Sequence, residues 1–355
     1  MSFLHPRHRT AAQPAAMEPS DNRSATTQPS LDSPPELRGL TLKQRLEGLP
    51  GEPFDVAWSP DGNTLAATSQ GGGVAVWSEA AGQRVRLLHG HETAGVSGLA
   101  WHPTGRMLAT ASFDSTVRLW DLDAGTSQVL CRLDPQPYGL SWSPDGRRVA
   151  VTDEGGGLGV WDVEQAALIR HAHIHEAEVN CVRWSPDGRL VVTGSDDTTI
   201  AVSTSEDLQL VRRLSGGSDY IGDVVLSPGG DKVVGGSSGT VGVWDLHTGQ
   251  QLVLLEGHTE SVLCVRFSPD GEFVASGSAD WTVRLWRCRD WECVAIVPNA
   301  MTNGLGGLAF HPRLPMLAVK NKNPMRIDLV FRGYAAGFRG LSRRSGNRSQ
   351  MAWSG

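Results

Sequence analysis

Trp58-Ser59-Pro60-Asp61-Gly62 decides the reading, because the phrase keeps returning: WHPTG from Trp101, WSPDG from Trp142 and Trp184, LSPGG from Leu226, FSPDG from Phe267 and a shortened FHPR from Phe310. The prolines (Pro60, Pro103, Pro144, Pro186, Pro228, Pro269 and Pro312) are spaced 43, 41, 42, 42, 41 and 43 residues apart. A fixed period of this length marks a repeat architecture, here of seven units. Within the phrase, proline fixes φ, aspartate offers a local acceptor and glycine tolerates positive φ. A tight hairpin turn is therefore expected at each copy.

Working outward, each turn follows a short alternating apolar run and precedes a second one (LAATS, MLATAS, LVVTGS, FVASGS). A third run ends at Trp77, Trp120, Trp161, Trp244 or Trp286, and a fourth, such as LVLLEGH from Leu252, leads into the next phrase. Runs of this length and alternation are strands, four to a repeat. Four-stranded sheets cannot bury both faces alone and stack around an axis, so the expected fold is all-β, a seven-bladed β-propeller. The seventh unit offers three strands, while LTLKQRLEG (Leu40–Gly48) stands where a fourth strand would precede the first phrase. Pairing that N-terminal strand with the last three would close the ring and cover edges open to aggregation. The expected organisation is a Pro/Ala/Ser/Thr-rich disordered tail over 1–37, the propeller over 38–331 with about 40–47 completing its seventh blade, and an Arg/Gly/Ser-rich tail over 332–355. Either Met1 or Met17 can be the start.

The phrases WDL at Trp120, WDV at Trp161 and WDL at Trp244, with Gly-His pairs at His91 and His258, make the chain resemble the WD40 family over about residues 40–330. That resemblance implies a buried hydrogen-bond chain of His, Ser or Thr, Asp and Trp within a blade. Its expected members are His91, Ser112, Asp114 and Trp120 in the second blade and His258, Ser278, Asp280 and Trp286 in the sixth. The fourth keeps His175, Ser195 and Asp197 but has Ser203 in the tryptophan position. The first, third and fifth carry Gly71, Gly155 and Ser238 near the aspartate position, and the seventh Ile327 in place of Trp.

Composition narrows the function. A net charge of -6 and a pI near 6.0 give no broad attraction for polyanions. No apolar run is long enough for a membrane span, and MSFLHPRHRT lacks the apolar core of a signal peptide, so a cytoplasmic protein is expected. Five scattered cysteines read as reduced thiols, with Cys288 and Cys293 near enough along a hairpin to consider a redox bridge. His, Asp and Ser recur in register, which speaks for architecture, because a nucleophile needs one exposed and unique geometry. His171-Ala-His173-Ile-His175 would place three imidazoles on one strand face, but neighbours there are about 7 Å apart, which strains ligation of one ion. No metal, cofactor or catalytic residue is expected, and a metal-binding or enzymatic propeller built on these histidines is the second alternative. The first is a nucleic-acid-associated module using Arg332, Arg339, Arg343, Arg344 and Arg348, a stretch without an acid.

Function is expected where side chains exceed what architecture needs. By the family register, one rim displays Phe54, Tyr138, Asn180 and Tyr220 at first strands and Phe113 and Trp281 beside second-to-third turns. Aromatic anchors among polar groups are the usual make-up of a binding hot spot. The sequence thus reads as a non-catalytic scaffold or adaptor, monomeric by itself, that binds protein or peptide partners.

Overall fold

The computed structural model describes residues 40–332 except 81–82, 92–94, 216–218, 299, 301–306 and 322–325. Both expected tails lie outside the described residues, apart from Arg332 at the start of the second. Every regular element described is a strand. After β1 (Leu40–Leu46), the first repeat gives β2 (Pro53–Trp58), β3 (Thr64–Ser69), β4 (Val74–Ser78) and β5 (Arg84–Leu88). The second gives β6 (Val96–Trp101), β7 (Met107–Ser112), β8 (Thr116–Asp121) and β9 (Thr126–Arg132). The third gives β10 (Pro137–Trp142), β11 (Arg148–Asp153), β12 (Gly157–Asp162) and β13 (Ala167–His173); the fourth gives β14 (Val179–Trp184), β15 (Leu190–Ser195), β16 (Ile200–Thr204) and β17 (Leu210–Leu214). Each set is a four-stranded antiparallel meander.

The fifth and sixth repeats depart from that plan. They share a seven-stranded sheet of β18 (Asp223–Leu226), β19 (Lys232–Gly236), β20 (Ser238–Asp245), β21 (Gln251–Phe267), β22 (Phe273–Ser278), β23 (Thr282–Arg287) and β24 (Glu292–Pro298). The 17-residue β21 serves as last strand of one repeat and first of the next, pairing with β20 through Gln251–Glu256 and with β22 through Val262–Phe267. Gly257, at φ 144°, lies between the two stretches. The last sheet runs β1, β27 (Arg326–Arg332), β26 (Met316–Asn321), β25 (Leu308–Phe310). There β1 and β27 pair from Leu40 with Arg332 to Leu46 with Ile327. Register also sets Val330 against Leu317, as Trp120 stands against Leu108, so Val330 and not Ile327 holds the tryptophan position of this repeat.

Packing between sheets follows from the repeated phrase. In the Ser-Pro-Asp-Gly turn, Ser59 Oγ donates to Asp61 Oδ1 (2.5 Å) and accepts from the Thr64 amide (3.0 Å), while Gly62 takes φ 73°. The tryptophan before it ties neighbours together: the Trp101, Trp142 and Trp184 indoles donate to the carbonyls of Ala57, Ala100 and Ser141 in the preceding repeat (3.0, 3.2 and 3.1 Å). His102 adds a bond from the second repeat to Gly146 of the third (3.2 Å), and His311 bonds from the last repeat to Gly62 of the first (3.0 Å). The first strands touch in the order β2, β6, β10, β14, β18, β21, β25 and again β2. Core clusters lie between successive sheets, one of them joining Leu46, Trp58, Trp77, Met316 and Ile327. Among the described residues no helix is long and apolar enough to cross a membrane.

Candidate functional site

Three histidines anchor closed hydrogen-bond sets. In the second repeat the Trp120 indole donates to Thr110 Oγ1 (2.8 Å), the Thr110 hydroxyl to His91 Nε2 (2.7 Å), and His91 Nδ1–H to Asp114 Oδ2 (2.9 Å). An indole only donates and a carboxylate only accepts, which fixes the tautomer of the neutral imidazole between them. The sixth repeat repeats the chain through Trp286, Ser276, His258 and Asp280, each contact 2.8 Å. In the fourth, Thr193, His175 and Asp197 align at 2.8 Å, and Arg213 completes the set by donating to Thr199 Oγ1 (2.9 Å) and the Ile174 carbonyl (2.7 Å). Ser203, in the tryptophan position there, keeps a buried hydroxyl without a partner.

The hydroxyl in these chains is thus not the one the sequence suggested. Ser112 and Ser278 instead close the turns, donating to the carbonyls of Gly95 and Glu260 (3.0 Å each) and accepting the Asp114 and Asp280 amides (3.2 and 3.1 Å). The displacement is one strand period. Trp120 pairs with Leu108, which brings its indole level with position 110 on the same face, whereas Ser112 ends the strand. Aligning the repeats exposes the signal: those with the histidine carry Thr110, Thr193 or Ser276, and the first, third and fifth carry Ala67, Val151 or Gly235. Thr110→Val is expected to cost about 2–3 kcal/mol by stranding both an indole N–H and an imidazole nitrogen, and Ser112→Ala only about 1 kcal/mol. Urea denaturation of the two variants checks this order.

These sets are electrostatically settled. Burial pushes His91 and His175 below the ordinary imidazole range despite their aspartates. Burial opposes charge on Asp114, Asp197 and Asp280, yet hydrogen bonds from the neighbouring threonine and histidine hold all three carboxyls below their usual range. Both shifts act with one sign: the unfolded chain takes up protons that the native sets refuse. Stability is therefore full above the unfolded imidazole value near 6.5, falls as pH drops through it, and falls again below about 4 as carboxylates protonate. Denaturation midpoints between pH 8 and 2 should show both declines.

The predicted rim residues separate into two kinds. Phe54, Phe113 and Tyr138, from three successive repeats, meet edge to face with centroids 6.1 and 5.7 Å apart and stay half-buried. Gly95 permits the first contact, since a Cβ there would lie 2.5 Å from the Phe54 ring. Trp281 is 52% exposed and has φ 69°, the left-handed conformation that Ser115 and Thr198 adopt at the same turn position. Tyr220 is half-buried, while Asn180 is buried and spent on structure, donating to Asp196 Oδ1 (2.7 Å) and the Ile221 carbonyl (2.9 Å).

Along the first strands lies a cavity of about 340 Å³, lined in part by Asp55, Arg183, Asp223 and Arg266. Asp223, 2% exposed, receives Arg183 on Oδ1 (2.9 Å) and Arg266 on Oδ2, joining three repeats. The Lys320 ammonium donates to the Phe54 carbonyl (3.2 Å), and burial pushes it down to about 8.

The triple-histidine segment does not converge. His171 Nε2 lies 3.7 Å from Asp153, His173 lies beside Gly156, and His175 turns into the next repeat to bond Asp197. Among the described residues no group of three or more His, Cys, Asp or Glu side chains could hold a metal. Cys288 and Cys293 are free thiols, and burial pushes Cys131, Cys181, Cys264 and Cys288 up to about 12, far from a reactive thiolate.

Comparison with known proteins meets this geometry. Residues 54–214 match the model of the WDR19 first beta-propeller, and residues 208–245 and 249–287 match the WD domain, G-beta repeat. Serine-threonine kinase receptor-associated protein of Gallus gallus is 47% identical over 57 residues, 14% of this chain and 16% of its own length. WD repeat and SOCS box-containing protein 1 of Homo sapiens is 36% identical over 81 residues, 22% of this chain and 19% of its own, and pre-mRNA-processing factor 19 of Mus musculus 41% over 71, 20% and 14%. The chain spans less than a fifth of the length of these relatives. Recurring phrase, four-stranded meanders, His–Asp sets and matched segments agree: this chain contains WD40 repeats.

Proposed function

We propose that the protein is a non-catalytic scaffold: seven repeats in a closed propeller, with β1 completing the seventh blade, presenting one aromatic rim to protein or peptide partners. The cyclic contacts of the first strands and the His311 bond to Gly62 support the closed ring. Against a catalytic reading, each His–Asp pair has its hydrogen-bonding capacity spent inside its own repeat. The WD40 relatives include one named for its association with a receptor and one for pre-mRNA processing.

Trp281 carries the proposal. A bulky side chain at positive φ costs roughly 1 kcal/mol, and half of this one is in water, so the turn conformation gains nothing from it. Trp281→Gly should therefore raise stability by about 1 kcal/mol while weakening partner binding. Affinity purification from native cells, beside a variant with Phe113, Tyr138, Tyr220 and Trp281 all changed to Ala, tests the rim. Partners lost from a variant that still melts cooperatively support it. An unchanged partner set refutes it, as does a Trp281→Gly protein that loses stability and keeps its partners.

A further inference from the structure

The aromatic ledge continues into an acidic sector. After burial, the groups acting most strongly on the Tyr138 hydroxyl are Glu178, which also shares a hydrogen bond with it, then Glu154 and Asp196. Those acting on Tyr220 include Asp196 and Asp219. All these charges are negative, and they add to burial, the larger cause, in holding both phenols above their usual range. Glu154, Asp196 and Asp219 form no ion pair with a basic side chain among the described residues. Among the described residues Asp196 accepts the Asn180 amide and Asp219 its neighbour's N–H. Arg213 pairs instead with Asp197, the next residue in sequence after Asp196, and donates to Thr199 and the Ile174 carbonyl.

Half-buried rings flanked by uncompensated carboxylates ask for an occupant with apolar and cationic groups side by side. We infer that this sector, from Phe54 through Phe113 and Tyr138 to Tyr220, receives a basic peptide segment of a partner protein. Its apolar side chains lie on the ledge, and its Arg or Lys groups reach Glu154, Asp196 and Asp219. This rests on the rim reading above and adds the chemistry of the partner. The carboxylates would also speed encounter with a basic chain, an effect that salt screens.

Fluorescence anisotropy of the full chain with three labelled peptides of equal length, Arg/Leu, Glu/Leu and Ser/Leu, tests it. The Arg/Leu peptide should bind at least about tenfold tighter than the others. Glu154→Gln with Asp196→Asn and Asp219→Asn should erase most of that preference without altering the melting curve, and Phe113→Ala should weaken binding at any salt concentration. No binding of the Arg/Leu peptide, or equal binding to wild type and the triple variant, overturns the inference. If the Ser/Leu or Glu/Leu peptide binds as well, and Phe113→Ala abolishes it, the basic partner is wrong while the rim reading stands. If Arg/Leu affinity responds to neither variant, the rim is not the site.

Discussion

Deletion of residues 1–48 is expected to abolish cooperative melting of this protein. The cut removes β1, whose pairs with β27 run from Leu40 to Leu46. It takes away Leu46, 2% exposed in the cluster of Trp58, Trp77, Met316 and Ile327, and the Glu47 carbonyl that accepts the Trp77 indole (3.3 Å). Losing one buried leucine alone costs about 2–5 kcal/mol, and β27 would be left as an open edge beside the first sheet. The sum rivals the whole stability of an ordinary domain, roughly 5–15 kcal/mol. Deleting only residues 1–36 provides the control, since it leaves the β1 pairing intact. Calorimetry that finds the same transition temperature after both cuts would refute the closed-ring topology.

The second large effect is expected at Asp223. One carboxylate there holds Arg183 and Arg266 and accepts the Val265 amide (3.2 Å), so three first strands depend on it. Asp223→Ala leaves two guanidinium groups crowded without the carboxylate that bonds both, a loss of about 3–5 kcal/mol for a well-buried pair. The arginines retain side-chain exposures of 25% and 18%, which places the expected cost near the lower end, about 3 kcal/mol. Arg183→Met in the same background should recover part of it, because it removes one of the stranded charges. Denaturant midpoints for the single and double variants decide the matter.

Much of this architecture was legible because each repeat states it again. Pro-Asp-Gly announces the turns, apolar alternation the strands, and Leu40–Gly48 the missing strand, and the described strands fall in those places. Three features escaped. Thr110 was hidden because Ser112 shares its face and chemistry, and only the strand pairing tells which one meets the indole. The Asp223 cluster has no local signature, since Arg183, Asp223 and Arg266 belong to different repeats and meet only through radial packing. Asn180 looked like a free polar rim group until the structure paired its amide with Asp196 and Ile221.

The unbroken β21 also bears on how the molecule opens. A turn between repeats is where a backbone ladder can fray without disturbing its neighbour, and between the fifth and sixth repeats the two ladders lie on one strand. Breathing of either sheet then pulls on the same 17 residues. Amide protons of β18 to β24 accordingly belong to one exchange unit, larger and slower than that of any single repeat. Thermal opening is then expected to enter through the separate four-stranded sheets, leaving β18 to β24, with Trp281 in the turn between β22 and β23, as the rigid part against which the others move.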